Sequence, residues 1–395
     1  MKKILIVNQH FDIGGIKKTL LNLIDNLKDK YSIDLLLLKS PLTSINIQGI
    51  NLLPSPFLID AFLSSKQELS KKHFYLLRLF VKAFFRLFSL FFGERTALLF
   101  SLSFCKKRHY DCAISYTNDI FYKKGFTGGC NYYVSKKVVA NIKIGWLHAE
   151  PSFLGLTKKS IEKTYNDFNY VVNVSNACKE AFDKYCANLN SCKSIYIRNL
   201  FNINDIVEKS KEECEFDKIK SFKIVTVSRL EATAKRIDRI NTIASRLKND
   251  GFDFCWIVVG DGPCYLKCIE DSKKMNLENC VFYLRSRLNP YPYIRTADLF
   301  VLPSTSESFS LVINEAFILD IPVVCTNFPA ARESVENNCT GYLTNDDEMS
   351  LYEGIKNLIN DKSELERMKK NIANTNKYSN DESLSKIISM IESSN

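Results

Sequence analysis

The sequence predicts an α/β protein made of two doubly wound, Rossmann-like domains. Short apolar runs of four to six residues alternate with amphipathic stretches along much of the 395-residue chain. The chain also opens with an apolar run, a glycine loop and an amphipathic stretch, and a similar succession restarts near residue 222. Strands alternating with helices at this spacing form parallel sheets covered on both faces. Such sheets bind ligands beyond the carboxyl ends of their strands, so two of them facing each other would enclose a cleft. The length agrees, because roughly 150 residues per domain gives two or three domains.

Residues 3–8 form the first strand. The basic start Met1-Lys2-Lys3 is like a signal peptide, but the apolar run stops at Asn8-Gln9-His10, too soon for a secretory core. Gly14-Gly15 follows, then a helix over Ile16–Leu27. The second succession has a strand at Phe222–Val227, a polar loop over Ser228–Arg236 and a helix over Ile237–Leu247. Further strands are expected at Phe254–Val259, Val281–Leu284, Leu299–Leu302 and Pro322–Cys325. Residues 204–220 are rich in Lys, Glu and Asp, which fits an exposed connector or a short surface helix. The domains are therefore placed at 1–203 and 204–375, with a terminal helical segment over 376–395.

Apolar residues at 46% and charged residues at 25% exclude disorder, a collagen-like repeat and a disulfide mini-scaffold. The net charge of +10 suits a phosphate-bearing ligand or an anionic membrane surface and is too dilute to call for nucleic acid. Thirteen cysteines, with no Cys-x-x-Cys pair, are read as reduced and mostly buried, in a cytoplasmic protein. The four histidines are unclustered, and Asp346-Asp347 reads as a surface turn, so no metal site and no cofactor are expected.

The most informative stretch runs from Ala297 to Phe317. An apolar strand ends at Pro303, a loop of Ser, Thr and Glu follows, and an apolar helix begins near Phe309. Helix N-termini present unpaired N–H groups and a positive dipole end, which suits phosphate. Glu307 sits before the helix and Glu315 inside it, among Leu311-Val312-Ile313 and Ala316-Phe317-Ile318. Carboxylates accept hydrogen bonds from sugar hydroxyls. One could hold a hexose and the other a ribose, with a diphosphate between them.

Glu307 and Glu315 resemble the Glu-x7-Glu motif of the family 4 retaining glycosyltransferases, of the bacterial surface-polysaccharide type. Other segments resemble the family in order: Val227-Ser228-Arg229-Leu230-Glu231 with Lys235, the Gly260-Asp261-Gly262-Pro263 turn, Asn289–Ile294 with Ala297-Asp298-Leu299, and Thr340–Leu343. In the first half, Gly14-Gly15, Val172–Ser175 and Tyr196–Asn199 resemble its glycine loop and closing strands. Ser228, Arg285 and Ser310 stand where the family often has glycine, and the Arg229-to-Lys235 gap is one residue longer than its commonest form.

The resemblance implies a GT-B fold, with the last helix crossing back onto the first domain. It implies transfer of a hexosyl unit, with retention and without a metal, from a nucleotide-diphosphate sugar, taken to be UDP-linked. The acceptor would be a lipid-linked or oligosaccharide hydroxyl. Glu307, Arg229, Lys235 and His148 would be catalytic. Glu315, Gly14, Gly15, Gly260, Ser308, Phe309, Ser310, Leu311 and Val312 would bind the donor.

Residues 71–92 carry Arg78, Lys82 and Arg86 at four-residue spacing among Phe, Leu and Val. The stretch is too charged to span a bilayer. It is read as a helix in the headgroup layer, basic face outward and aromatics inserted, on the inner face of the plasma membrane. The competing reading is a core helix with a solvated basic stripe. A nicotinamide-dependent enzyme is excluded because no Gly-x-Gly-x-x-Gly opens either half with an acid about twenty residues on. A non-catalytic carbohydrate- or membrane-binding protein of the same fold remains the alternative.

Overall fold

β-Branched and leucine-rich runs with both faces apolar form central strands of parallel sheets, where neither side meets water. The computed structural model describes residues 1–12, 14–42, 47–122, 125–185, 192–375 and 379–393. It divides into one unit of Met1–Leu200 with Asn380–Asn395, and a second of Phe201–Ser379.

The first unit contains β1 (Lys3–Asn8), β2 (Ser32–Leu37), β3 (Asn51–Leu53), β4 (Arg108–Ser115), the hairpin β5 (Ile120–Tyr122) and β6 (Gly125–Thr127), β7 (Val138–Leu147), β8 (Tyr170–Asn173) and β9 (Lys193–Tyr196). All but the hairpin pair in parallel in the order β3-β2-β1-β4-β7-β8-β9. Residues 4–7 of β1 are fully buried, the position expected of the strand at the centre of the winding.

The second unit contains β10 (Phe222–Val227), β11 (Phe254–Val259), β12 (Val281–Leu284), β13 (Leu299–Leu302), β14 (Val323–Thr326) and β15 (Gly341–Thr344). These pair in parallel in the order β12-β11-β10-β13-β14-β15. The order reverses direction between β10 and β13, which makes their carboxyl ends the switch point of this sheet.

The helices are shifted from the sequence reading by a residue or two, at Gly15–Leu27, Arg239–Asn249 and Leu311–Ile318. Of the two readings of residues 204–220, the short surface helix is the one that forms, at Ile203–Ser210. Ile206, on the Ile203–Ser210 helix, and Phe216 are buried in the second unit's core with Phe201. The charged residues of that stretch cover the outside of a segment anchored by a few apolar ones.

One expectation is corrected, for residues 71–92. A helix does form, at Tyr75–Phe92, but two of its three basic residues, Arg78 and Lys82, do not face outward. Arg78 Nη1 lies 2.5 Å from Asp60 Oδ2, and Lys82 Nζ donates to the carbonyls of Phe62 and Ser64. Arg86 pairs more loosely, at 3.4 Å, with Glu94. Each buried charge costs desolvation unless paired, and Asp60 with two backbone carbonyls provides the pairing that draws Arg78 and Lys82 inward. Burial also pushes the Lys82 ammonium below its ordinary pKa.

Candidate active site

Neighbouring loops leave the switch point of the second sheet. The loop after β10 carries Ser228, Arg229 and Lys235, and the loop after β13 carries Pro303 to Phe309. They are joined by a backbone bond, Thr305 N–H to the Ala234 carbonyl at 2.8 Å. They are joined again by an ion pair, Lys235 Nζ to Glu307 Oε2 at 2.5 Å. Ser304 Oγ donates to the other carboxylate oxygen at 3.0 Å. Glu307 is thus held by two donors from opposite sides, with lone pairs left for hydroxyl donors. Arg229 is exposed, and among the described residues its guanidinium has no ion-pair partner.

Gly260 has a packing reason of its own. Its φ is +153°, and a Cβ there would stand 1.9 Å from the Ser228 carbonyl oxygen. The turn after β11 can therefore lie against the Arg229 loop, bonded by Leu230 N–H to Asp261 O and Cys264 N–H to Leu230 O, each 3.0 Å. Arg285, standing where the resemblance led to a glycine, pairs with Asp261 at 3.0 Å and lies over the Tyr265 ring.

Beyond Glu307 the chain enters the Leu311–Ile318 helix, with Ser310 as N-cap. Ser310 makes no side-chain cap bond, and among the described residues its buried Oγ has no hydrogen-bond partner. The leading N–H groups of a helix have no acceptor inside it, so Leu311 and Val312 stand at a positive helix end. Phe309 packs its ring 6.3 Å from Phe201, a core contact. Ser308 is partly exposed. Glu315 is buried inside the helix, and its charge adds to the burial that raises the Tyr291 phenol pKa.

The sequence reading missed Arg239. It is buried, and its Nη1 donates to the Pro303 carbonyl at 3.1 Å and to Asp346 Oδ1 at 2.6 Å, while Nη2 donates to the Asp346 carbonyl at 3.1 Å. This clamp fixes the start of the Glu307 loop. Asp346 is thereby a structural partner, and Asp347 caps the following helix through Ser350 N–H. An arginine between Asp238 and Ile240 gives no sign of this in the sequence.

In the first unit, Gly14 and Gly15 follow β1 and open the Gly15–Leu27 helix. Gly14 is extended, and a Cβ there would meet nothing within 4 Å, so the described fold does not itself require glycine. His148 follows β7 at the same carboxyl edge. Its Nε2 lies 2.9 Å from the Tyr116 carbonyl oxygen, which makes Nε2 the protonated nitrogen and Nδ1 the acceptor. Its ring stacks edge-on against Tyr116. His148 keeps some solvent contact yet is densely surrounded, and desolvation pushes its pKa down to about 4.

The polar run Tyr116-Thr117-Asn118-Asp119 after β4 was also missed, although its position after an apolar strand was readable. Asn118 Oδ1 accepts from His148 N–H at 2.9 Å. Burial pushes the Asp119 carboxyl up to about 6. Among the described residues no three His, Cys, Asp or Glu side chains cluster as metal ligands.

Two parallel-sheet Rossmann-like domains in this order make a GT-B fold. Residues 209–375 match the family model described as "Glycosyl transferases group 1". A relative from Campylobacter jejuni, the N-acetylgalactosamine-N,N'-diacetylbacillosaminyl-diphospho-undecaprenol 4-alpha-N-acetylgalactosaminyltransferase, is 30% identical over 186 residues, 47% of this chain and 48% of its own length. The O-antigen biosynthesis glycosyltransferase WclY of Escherichia coli is 28% identical over 160 residues, 40% of this chain and 44% of its own. The chain thus spans about half the length of the curated relatives it matches. The crystal structure of Anabaena Alr3699/HepE in complex with UDP-glucose aligns over 99% of both chains, with a TM-score of 0.68 and 17% identity. At that identity the likeness is one of fold.

Proposed function

We propose that this protein is a glycosyltransferase of surface-glycan synthesis. It moves a hexosyl unit, with retention, from a UDP-linked sugar to a hydroxyl of a lipid-linked or oligosaccharide acceptor on the cytoplasmic side of the membrane. The observation that carries the proposal is the Lys235–Glu307 pair joining two loops at the switch point of the second sheet, with the exposed Arg229 on the first of those loops. The family match over this unit supports the class. The UDP-glucose in the HepE complex supports the donor, and the diphospho-undecaprenol in the Campylobacter enzyme's name supports a lipid-linked acceptor.

In this reading the anomeric C–O bond breaks and its electron pair stays on the diphosphate oxygen. Arg229 and Lys235 stabilise the charge that builds there, helped by the N–H groups at the start of the Leu311–Ile318 helix. An ammonium has three N–H donors, so Lys235 can keep Glu307 while it meets a phosphate oxygen. The acceptor oxygen bonds to the anomeric carbon on the face the diphosphate leaves, and its proton passes to the departing phosphate. Glu307 positions the sugar through its free lone pairs, Glu315 holds the ribose, and the reaction needs no metal. In the first unit, His148 offers a neutral Nδ1 acceptor and Gly14-Gly15 an open backbone.

Release of nucleoside diphosphate from a panel of nucleotide sugars tests this. Slow donor hydrolysis is expected with one or a few UDP-sugars, and Glu307→Ala should abolish it. No release and no thermal stabilisation with any donor would favour the non-catalytic binding protein.

A further inference from the structure

We infer that the helices Tyr75–Phe92 and Glu94–Ser103 form a hairpin that inserts flat into an anionic lipid leaflet, aromatic face first. The first helix is built opposite to a soluble surface helix. Two of its three cations turn inside: Asp60, 1% exposed, takes Arg78 at 2.5 Å, as it does the preceding Lys72 at 2.8 Å, and Lys82 is satisfied by backbone carbonyls, while Arg86 stays exposed. Its apolar face looks out. Leu76, Phe80, Leu90 and Phe91 are 78, 71, 81 and 75% exposed, and Phe84 and Leu87 join them on the same side.

Soluble single chains seldom leave so large a continuous apolar face uncovered. Phe74, just before the helix, is also exposed and sits at φ 57°, ψ 42°, a left-handed conformation that favours Gly or Asn. The apolar surface continues onto the second helix, where Phe100 lies 5.2 Å from Phe88 and 5.1 Å from the exposed Phe104.

Charge identifies the occupant. From residue 64 to 110 the chain has ten lysines and arginines against two glutamates. Lys66, Lys71, Arg86, Lys106 and Lys107 are exposed around the hairpin. A second copy would bring like charges together around this face, whereas an anionic headgroup layer complements them. The helix of 18 residues is about 27 Å long and would lie in the plane. Among the described residues no helix is long and apolar enough to cross a membrane.

The test is sedimentation of the full chain with vesicles of phosphatidylcholine plus phosphatidylglycerol, and with phosphatidylcholine alone. The protein is expected to pellet with the mixed vesicles. The combined variant Leu76→Gln, Phe80→Gln, Leu87→Gln and Phe91→Gln should lose at least tenfold in binding, with circular dichroism unchanged because those side chains are exposed. Lys71→Gln with Lys106→Gln and Lys107→Gln should lose the preference for anionic vesicles. Wild-type protein that stays in the supernatant, or a glutamine variant that binds as wild type does, overturns the inference. So does a wild-type dimer that the glutamine variant splits while neither binds vesicles, since the face would then join two copies. None of these readouts depends on glycosyl transfer.

Discussion

Arg239→Met separates the support of the Glu307 loop from its chemistry. The arginine holds Pro303 and Asp346 through three hydrogen bonds of 2.6–3.1 Å. Hydrogen bonds to charged groups contribute about 1.5–3 kcal/mol each and are not additive. Breaking a buried pair costs about 3–5 kcal/mol, but Asp346 is half exposed and water re-solvates it, so the net loss should be near ~3 kcal/mol. At roughly 2–4 °C per kcal/mol for a unit of this size, the melting temperature should fall by about 6–12 °C. The loop that carries Glu307 starts at the lost carbonyl contact, so donor hydrolysis should slow at temperatures where the variant is still folded. Differential scanning calorimetry with a hydrolysis assay at low temperature measures both. A variant within about 2 °C of wild type and equally active would refute the clamp.

Gly260→Ala should be more damaging, at least about 3 kcal/mol, because its Cβ would stand 1.9 Å from the Ser228 oxygen; the readout is soluble yield and melting temperature. His148 titrates near 4 when folded and near 6.5 otherwise, so the unfolded chain binds the extra proton first. Its contribution is therefore absent above about pH 6.5 and becomes a growing penalty as pH falls toward 4, and His148→Gln should flatten that part of the stability profile. Asp119 acts in the opposite sense. Its folded pKa of about 6 lies above the ordinary 3.8, so its stabilisation is fully present below 3.8 and is lost as pH rises through 6. Asp119→Asn should therefore steepen the acid loss, as seen in denaturant melts at stepped pH.

Strand positions were legible because an apolar run bounded by polar loops has few other uses. β10, β11, β12 and β13 stand at the residues the pattern indicates. The Lys235–Glu307 neighbourhood was legible only as two separate segments, since a contact across 72 residues leaves no local trace. The direction faced by the Tyr75–Phe92 helix was misread for a physical reason. Four-residue spacing marks a face, but what the face meets is decided elsewhere, here by the buried carboxylate of Asp60. Arg239 was invisible because its partners come from two distant loops, and Gly260 was read for a ligand when its strictest demand is the nearby Ser228 carbonyl.

Titration calorimetry of UDP into Arg229→Met addresses the placement of the donor diphosphate most directly. Arg229 is exposed and has no ion-pair partner among the described residues, so the substitution should leave the melting temperature unchanged. Affinity should nevertheless drop by roughly ten- to a hundredfold, the loss of one charge-assisted contact to phosphate. UDP binding equal to that of the wild-type protein would mean the diphosphate rests somewhere other than the carboxyl ends of β10 and β13.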